Sequence, residues 1–494
     1  MSARAESGLR RMLRRLPRAA WLCALVALAN GLAWSLIVPP FQVPDENAHY
    51  AYVQQVAERG TLPRQISPEG PLSPREDQIL AALLTFGVVG HRDNPAPDTQ
   101  VQQQVIDQIA EQSLSALGSG DALTASANPP LYYALQAIPY KLTPSGKVLD
   151  KLQAMRFLSA LIGAGTVLLV FMFLSELLPG KRWAWPTGAL VVAFQPMFGF
   201  MSGGVNNDDL LYLTAAGLLW AVARAFRRGL TSEGGALIGG WLGIGLLSKL
   251  TLLGFIPAIA LAVALLATRA WPANRRQATR GVIWALALSA TPFVLYLLLN
   301  HLVWSRSAIQ GGVGAVPAAA GRTYSLSEEL SHIWQLFLPR LWMRPQFSYS
   351  PLWETWFKGL VGRFGWVDYD FPAWVYQVAR AVGLAVCALA AGELARRRHA
   401  LRHRLGELSV YALALVGLCV EIGVESYRSL VSNQGVFEQA RYLLPLLCLY
   451  AAIAALAVRF GGRRWGPVLG AALVVLAIGH DLFAQAITIS RYYA

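Results

Sequence analysis

The sequence predicts an all-α integral membrane protein, a polytopic bundle of about 11 spans with two long outer loops carrying juxtamembrane helices. Three observations predict it. Of 494 residues, 55% are hydrophobic and only 14% charged, where a soluble chain carries about 25% charged residues. Apolar runs of span length recur from one end of the chain to the other. The basic residues, 42 against 28 acids, gather in short segments between those runs. A net charge of +14 on a soluble surface would suggest nucleic acid. Gathered between spans it sets membrane orientation instead, and no nucleic-acid partner is expected.

The first run, residues 19–38, follows Arg10, Arg11, Arg14, Arg15 and Arg18. Its length suits a span and no A-x-A site follows, so it reads as uncleaved, with residues 1–18 a basic cytoplasmic stretch. Residues 39–156 form an outer segment too long for an ordinary connection. It holds a helix in DENAHYAYVQQVAERG, a Pro-rich turn region at 62–74 and an acidic helical piece at 101–117. NPPLYYALQAIPYKL, Asn128 to Leu142, closes it, apolar but short and interrupted by Pro139. The next spans are expected at 156–178, 183–201, 209–226, 234–248, 251–268 and 281–302. If NPPLYY stays on the outer face, Lys181/Arg182, Arg224/Arg227/Arg228 and Arg269/Arg275/Arg276/Arg280 all fall inside. If it crosses, each of those clusters moves outside, against the positive-inside tendency. It is therefore read as juxtamembrane or re-entrant.

The second outer segment, 303–372, has a Gly/Ala-rich stretch at 311–321 and then a dense aromatic run. Trp, Tyr and Phe at a span boundary fit helices lying in the interface. Spans at 373–392, 407–424, 440–459 and 465–486 finish the chain, with Arg396–Arg398, Arg402, Arg404, Arg459, Arg463 and Arg464 inside. The organisation expected is thus 1–18, a catalytic membrane module at 19–302 that includes loop 39–156, a second outer loop at 303–372, and C-terminal spans at 373–494. Cys23, Cys387, Cys419 and Cys448 lie in apolar stretches without metal-like spacing and read as small buried hydrophobes.

This topology puts the polar motifs on one face, next to span ends. Asp45 and Glu46 open the helix of PPFQVPDENAHYA, with His49 one turn from Asp45. An acid pair there is either a simple cap, favoured by the macrodipole, or a catalytic pair at the membrane surface. Asn206, Asn207, Asp208 and Asp209 precede a span, where they cap or supply a second acid site. Lys249 in GLLSKLTLL either snorkels or meets an anion. Arg156 and Arg441 open spans from the outside, where a bound phosphate would favour them. Lys141, Lys147, Lys151, Asn128, Asp368, Asp370, Arg428 and Glu438 lie on the same face. Acids opposite cations suit transfer of a sugar from a lipid phosphate: cations carry the leaving phosphate and a carboxylate takes the acceptor's proton. Glu421 and Asp481, beside His480, lie inside spans and are the features that favour a transporter.

Taken together, PDENAH, NPPLYY, NNDD and LLSK resemble the polyprenyl-phosphate-sugar-dependent glycosyltransferases of the GT-C fold class, over nearly the whole chain. PPFQVPDENAHY, GRFGWVDYDFP and FEQARYLLPLL resemble a bacterial membrane family of unknown function related to protein mannosyltransferases and lipid A aminoarabinose transferases. The resemblance implies a GT-C-like enzyme of the bacterial inner membrane, with its N-terminus cytoplasmic and its active site periplasmic. Asp45 would be the base, assisted by Glu46, with Asp208 or Asp209 as second acid. Arg156, Lys249, Arg441 and Lys141 would hold donor phosphate, and His49, Asn128, Asn207, Glu438 and Asp368 are further candidates. Asn128 stands where relatives have His or Lys before PPL. Expected partners are a polyprenyl-phosphate-linked sugar donor, an envelope glycan, lipid or protein acceptor, and the bilayer. A divalent metal, Mg or Mn, held by Asp45 and Asp208 is the cofactor the resemblance allows. The competing function is a lipid-linked oligosaccharide flippase or polysaccharide transporter or polymerase, which would depend on Glu421 and Asp481.

Overall fold

A computed structural model describes residues 16–63, 104, 125–304, 306, 323–343, 352–432 and 438–493. The expected acidic helix at 101–117, the stretch at 311–321, residues 1–15 and most of the Pro-rich region at 62–74 lie outside these. Every apolar run predicted as a span is helical. α1 covers Arg18–Ile37, α2 Glu46–Arg59, α3 Leu131–Leu142, α4 Val148–Leu177, α5 Ala184–Ala193, α6 Pro196–Ser202, α7 Asp208–Arg228 and α8 Ser232–Leu246. A 3-10 turn, Leu250–Phe255, leads into α9, Ile256–Ala270, followed by α10, Arg275–Leu302, and α11, Leu326–Phe337. After a π turn, Trp353–Lys358, come α12, Gly359–Gly362, and a hairpin of β1, Arg363–Phe364, with β2, Tyr369–Asp370. The chain ends with α13 Ala373–Arg396, α14 Arg398–Arg402, α15 Leu405–Val431, a 3-10 turn Ala440–Leu446, α16 Leu447–Phe460 and α17 Gly462–Tyr493.

Nine of these helical stretches are long and apolar enough to cross a membrane among the described residues. The expected spans at 183–201 and 234–248 are shorter for identifiable reasons. Pro196 cannot continue α5, so the chain breaks at Gln195, whose side chain accepts from the Phe198 N–H and caps α6. α8 has 15 residues, about 22 Å against a hydrocarbon core of about 30 Å. It packs backbone to backbone on α10: a Cβ at Gly235, Gly239 or Gly243 would run into carbonyls of Gly281, Ala285 or Leu288. Gly239→Ala is therefore expected to force the two helices apart and lower the thermal midpoint of the detergent-solubilised protein by several degrees. An unchanged midpoint would show that the contact can relax. α3 has 12 residues, about 18 Å, too short to span.

Burial separates centre from rim. The span windows of α7 and α4 are 83% and 72% buried, against 11% for α10 and α13. Cys387 on α13 is exposed rather than buried, because this face of the helix is not covered by protein among the described residues. The arginine clusters gather at one end of the bundle. There Glu176 pairs with Arg227 and Arg228 at 2.8 and 2.6 Å, Glu393 with Arg397 and Arg459, and Arg404 donates to the Leu177 carbonyl. The acidic motifs meet at the other end.

Candidate active site

Stretches 39–49, 128–133, 203–209, 247–249 and 438–442 converge where α1 ends and α7 begins. Specific bonds bring them together. The Asn206 amide donates to the Pro44 carbonyl at 3.0 Å, Asn207 donates to the Ser248 carbonyl at 3.2 Å, and the Leu131 N–H donates to the Leu247 carbonyl at 3.1 Å. A Cβ at Gly203 would meet Trp34 and Ser35, and one at Gly204 would meet Val43, so both glycines admit the loop after α1.

Arg156 organises that loop rather than binding a ligand. α4 begins at Val148, earlier than expected, so Arg156 lies about two turns inside it and is 2% exposed. Its Nε and Nη2 donate to the two Glu46 oxygens at 2.8 and 2.5 Å. Nη1 donates to the Ser35 and Val38 carbonyls, and Nη2 also to Pro39. A guanidinium has five N–H groups, and all five are occupied. Glu46 is equally saturated, accepting further from the N–H groups of Phe41 and Val205 at 2.8 and 2.9 Å. Arg156, expected to hold phosphate, and Glu46, expected to assist the base, are thus placed with every donor and lone pair already engaged by one another and by backbone.

Asp45 is placed differently. It occupies the N-cap position of α2, yet its side chain makes no cap hydrogen bond and its backbone is left-handed (φ 64, ψ 7). Phe41 shares that region at φ 62. A non-glycine residue persists there where its surroundings over-determine it, often at a functional site. Its Oδ2 accepts from Arg441 Nη2 at 2.7 Å, and Arg441 Nη1 also reaches the Pro44 carbonyl. Arg441 Nε stands 3.8 Å from Asp208 Oδ2, while Asp208 Oδ1 takes Lys249 Nζ at 2.5 Å. Arg441 thus bridges the two acidic motifs. Tyr442, not singled out in the sequence, holds its ring 5.3 Å from Lys249 and 5.2 Å from the Arg441 guanidinium. Its only sequence signal is adjacency to Arg441. Asp209 is buried beside the hydroxyls of Ser159 and Ser202.

Of these four acids, Asp45 alone reaches the surface. Its side chain is 27% exposed, against 0–1% for Glu46, Asp208 and Asp209. Burial works to raise its pKa, but the cationic Arg441 beside it, with Lys249 behind, outweighs this and holds the carboxyl below its usual value. His49 is buried, bonds Tyr133 Oη through Nδ1 at 2.9 Å and stacks on that ring. Burial pushes its pKa down to about 3, against the pull of Asp45, so it is neutral.

The other candidates sit at the edge of the cluster or outside it. Asn128 donates to the Ala125 carbonyl and its own carbonyl accepts from Tyr52, which shapes the entry to α3. Lys141 is exposed in the last turn of α3, with no contact to the cluster among the described residues. Asp368 accepts from the Trp366 N–H at 2.8 Å and pairs with Arg491 at 3.6 Å, closing the hairpin. Glu438 accepts from Ser426, three residues before Arg441. Asp481, the transporter-type acid, accepts from Trp34 at 3.1 Å and Gln485 at 2.9 Å and ties α17 to α1. A metal does not fit well here. Asp45 and Asp208 are each neutralised by a cation, and no group of three or more His, Cys, Asp or Glu is arranged as ligands among the described residues.

Fold and cluster together define a multi-pass membrane protein with a buried acid–arginine site at one end of its bundle. The chain belongs to the family described as predicted membrane protein DUF2142, whose model matches residues 28–450. No curated protein matches it. Among solved structures it is similar to ArnT from Cupriavidus metallidurans in the apo state, at 13% identity over 90% of this chain and 60% of that one, TM-score 0.43. The apo Archaeoglobus fulgidus oligosaccharyltransferase is similar at 10% identity over 96% and 55%, TM-score 0.40. The S. cerevisiae protein O-mannosyltransferase Pmt1-Pmt2 complex bound to the sugar donor gives 17% identity over 59% and 34%, TM-score 0.37. The chain spans about one third to three fifths of these proteins' own lengths.

Proposed function

We propose that this protein is a membrane glycosyltransferase that moves a sugar from a polyprenyl-phosphate carrier to a hydroxyl of an envelope glycan, lipid or protein. The observation that carries the reading is Asp45: an ionised, partly exposed carboxylate in a strained backbone, beside two cations. Asp45 takes the proton of the acceptor hydroxyl as its oxygen attacks the anomeric carbon. The bond from that carbon to the phosphate oxygen breaks, and the electron pair leaves with the phosphate, held by Lys249 and Arg441. A single displacement inverts the anomeric carbon. Asp208 holds both cations in register. On the positive-inside rule we read the arginine-rich end as cytoplasmic, which supports an active site on the periplasmic face of a bacterial inner membrane.

The test is mass spectrometry of envelope glycans from cells lacking the protein and from complemented cells. One sugar missing from an otherwise intact glycan supports the reading. Loss of a whole glycan, with its lipid-linked precursor accumulating, overturns it in favour of a flippase. A pH effect follows as well. Because Arg441 helps keep Asp45 ionised, wild-type rates should be level between about pH 5 and 8 with respect to Asp45 and His49. Arg441→Gln should move the acid limb upward, besides lowering the rate; initial rates against pH check this, and an unmoved limb would mean that Arg441 does not set the base. The ion pair also stabilises the fold above the unfolded Asp range, and this is lost as pH falls through the lowered folded value.

A further inference from the structure

We infer that His332, Ser426 and Glu438 form a positioning chain that couples the amphipathic helix α11 to Arg441, so that seating of α11 on the membrane surface sets the reach of the phosphate-binding cation. The inference rests on the reading of Arg441 as a donor-phosphate ligand. One face of α11 is apolar and exposed: Leu326, Leu330 and Trp334, one turn apart each, are 70%, 60% and 43% exposed. The opposite face, with His332, Gln335 and Leu336, is buried. Ile333 packs on Gly423, which ties the helix to α15 just beyond that span's exposed Leu415, Val416 and Val420. The apolar strip of α11 therefore continues a surface that already faces lipid.

Two routes run from the buried face to the Arg441 segment. In the first, Ser426 Oγ lies 2.6 Å from Glu438 Oε1 and 2.7 Å from His332 Nε2. A hydroxyl has one proton. With it donated to the Glu438 carboxylate, Nε2 carries the hydrogen and donates to Ser426, which fixes the tautomer. Glu438 is three residues before Arg441, and it anchors the segment as it enters the site. In the second, the Trp356 indole N–H donates to the Leu336 carbonyl, and Gly359, one turn on, abuts Ala440 so closely that a Cβ would collide with it. The far side of the segment is fixed by Tyr212, whose hydroxyl donates to the Arg441 carbonyl at 3.2 Å. Arg441 is thus clamped between the bundle core and α11.

The experiment uses the full chain in lipid nanodiscs with undecaprenyl phosphate as the probe. Arg441→Ala, Ser426→Ala and Ser426→Thr are compared for probe affinity and for hydrogen exchange of residues 438–446. The expected result is weaker binding by tenfold or more for Arg441→Ala. Ser426→Ala should weaken binding severalfold and speed exchange in 438–446, and Ser426→Thr, which keeps the hydroxyl, should restore both. Binding lost in Arg441→Ala but unchanged in Ser426→Ala overturns the coupling alone. Binding unchanged in Arg441→Ala overturns the phosphate reading beneath it. Equal loss in Ser426→Ala and Ser426→Thr would mean that packing, not the hydroxyl, holds the segment, and overturns the chain as drawn.

Discussion

Asp45→Asn should lower the rate of sugar transfer by about 10²- to 10⁴-fold, the contribution of a positioned general base, while leaving the protein folded. The substitution keeps the size of the side chain, and Asn tolerates left-handed backbone well. Asp45 also makes no cap hydrogen bond, so α2 loses none of its terminal bonds. The loss should therefore appear in kcat per folded molecule, while the thermal midpoint falls only by what the ion pair with Arg441 contributes. If instead the midpoint fell and activity per folded molecule held, Asp45 would be a structural residue after all.

The second large effect is on stability. Arg156→Met leaves the Glu46 carboxylate buried without its cation and strips three carbonyls of a donor. Removing one partner of a buried ion pair costs about 3–5 kcal/mol, enough to deplete folded protein in the membrane. Fluorescence-detected size exclusion in detergent should show a much smaller monodisperse peak. Pairing the change with Glu46→Leu should recover part of it, because the orphaned charge is then gone as well. A double variant as damaged as the sum of both singles would mean that the two residues act separately.

These two residues also mark what was legible in the sequence. Charges beside span ends pointed to Asp45, Asp208, Lys249 and Arg441, because a membrane protein has little other reason to keep them there. The same logic singled out Arg156 and Glu46, and a sequence does not tell that their donors and lone pairs are taken up by each other and by backbone. Ser426 carried no signal and Tyr442 only its adjacency to Arg441, as their roles arise from partners brought together only in three dimensions. Helical runs were readable from apolar length. The break at Gln195 and Pro196 and the shortness of α8 depended on one proline and a glycine-rich face, which blur a hydropathy profile.

The glycine seam between α8 and α10 has a consequence for biosynthesis. α8 is too short to be comfortable alone in a bilayer, and its partner is made later, after α9. At about 5–20 residues per second, the ribosome leaves the α10-facing side of α8 uncovered for several seconds. During that interval its bare backbone ridge is exposed to the translocon and to any insertion chaperone. Misassembly would begin with this helix, whose C-terminal end leads directly into Ser248 and Lys249 of the site.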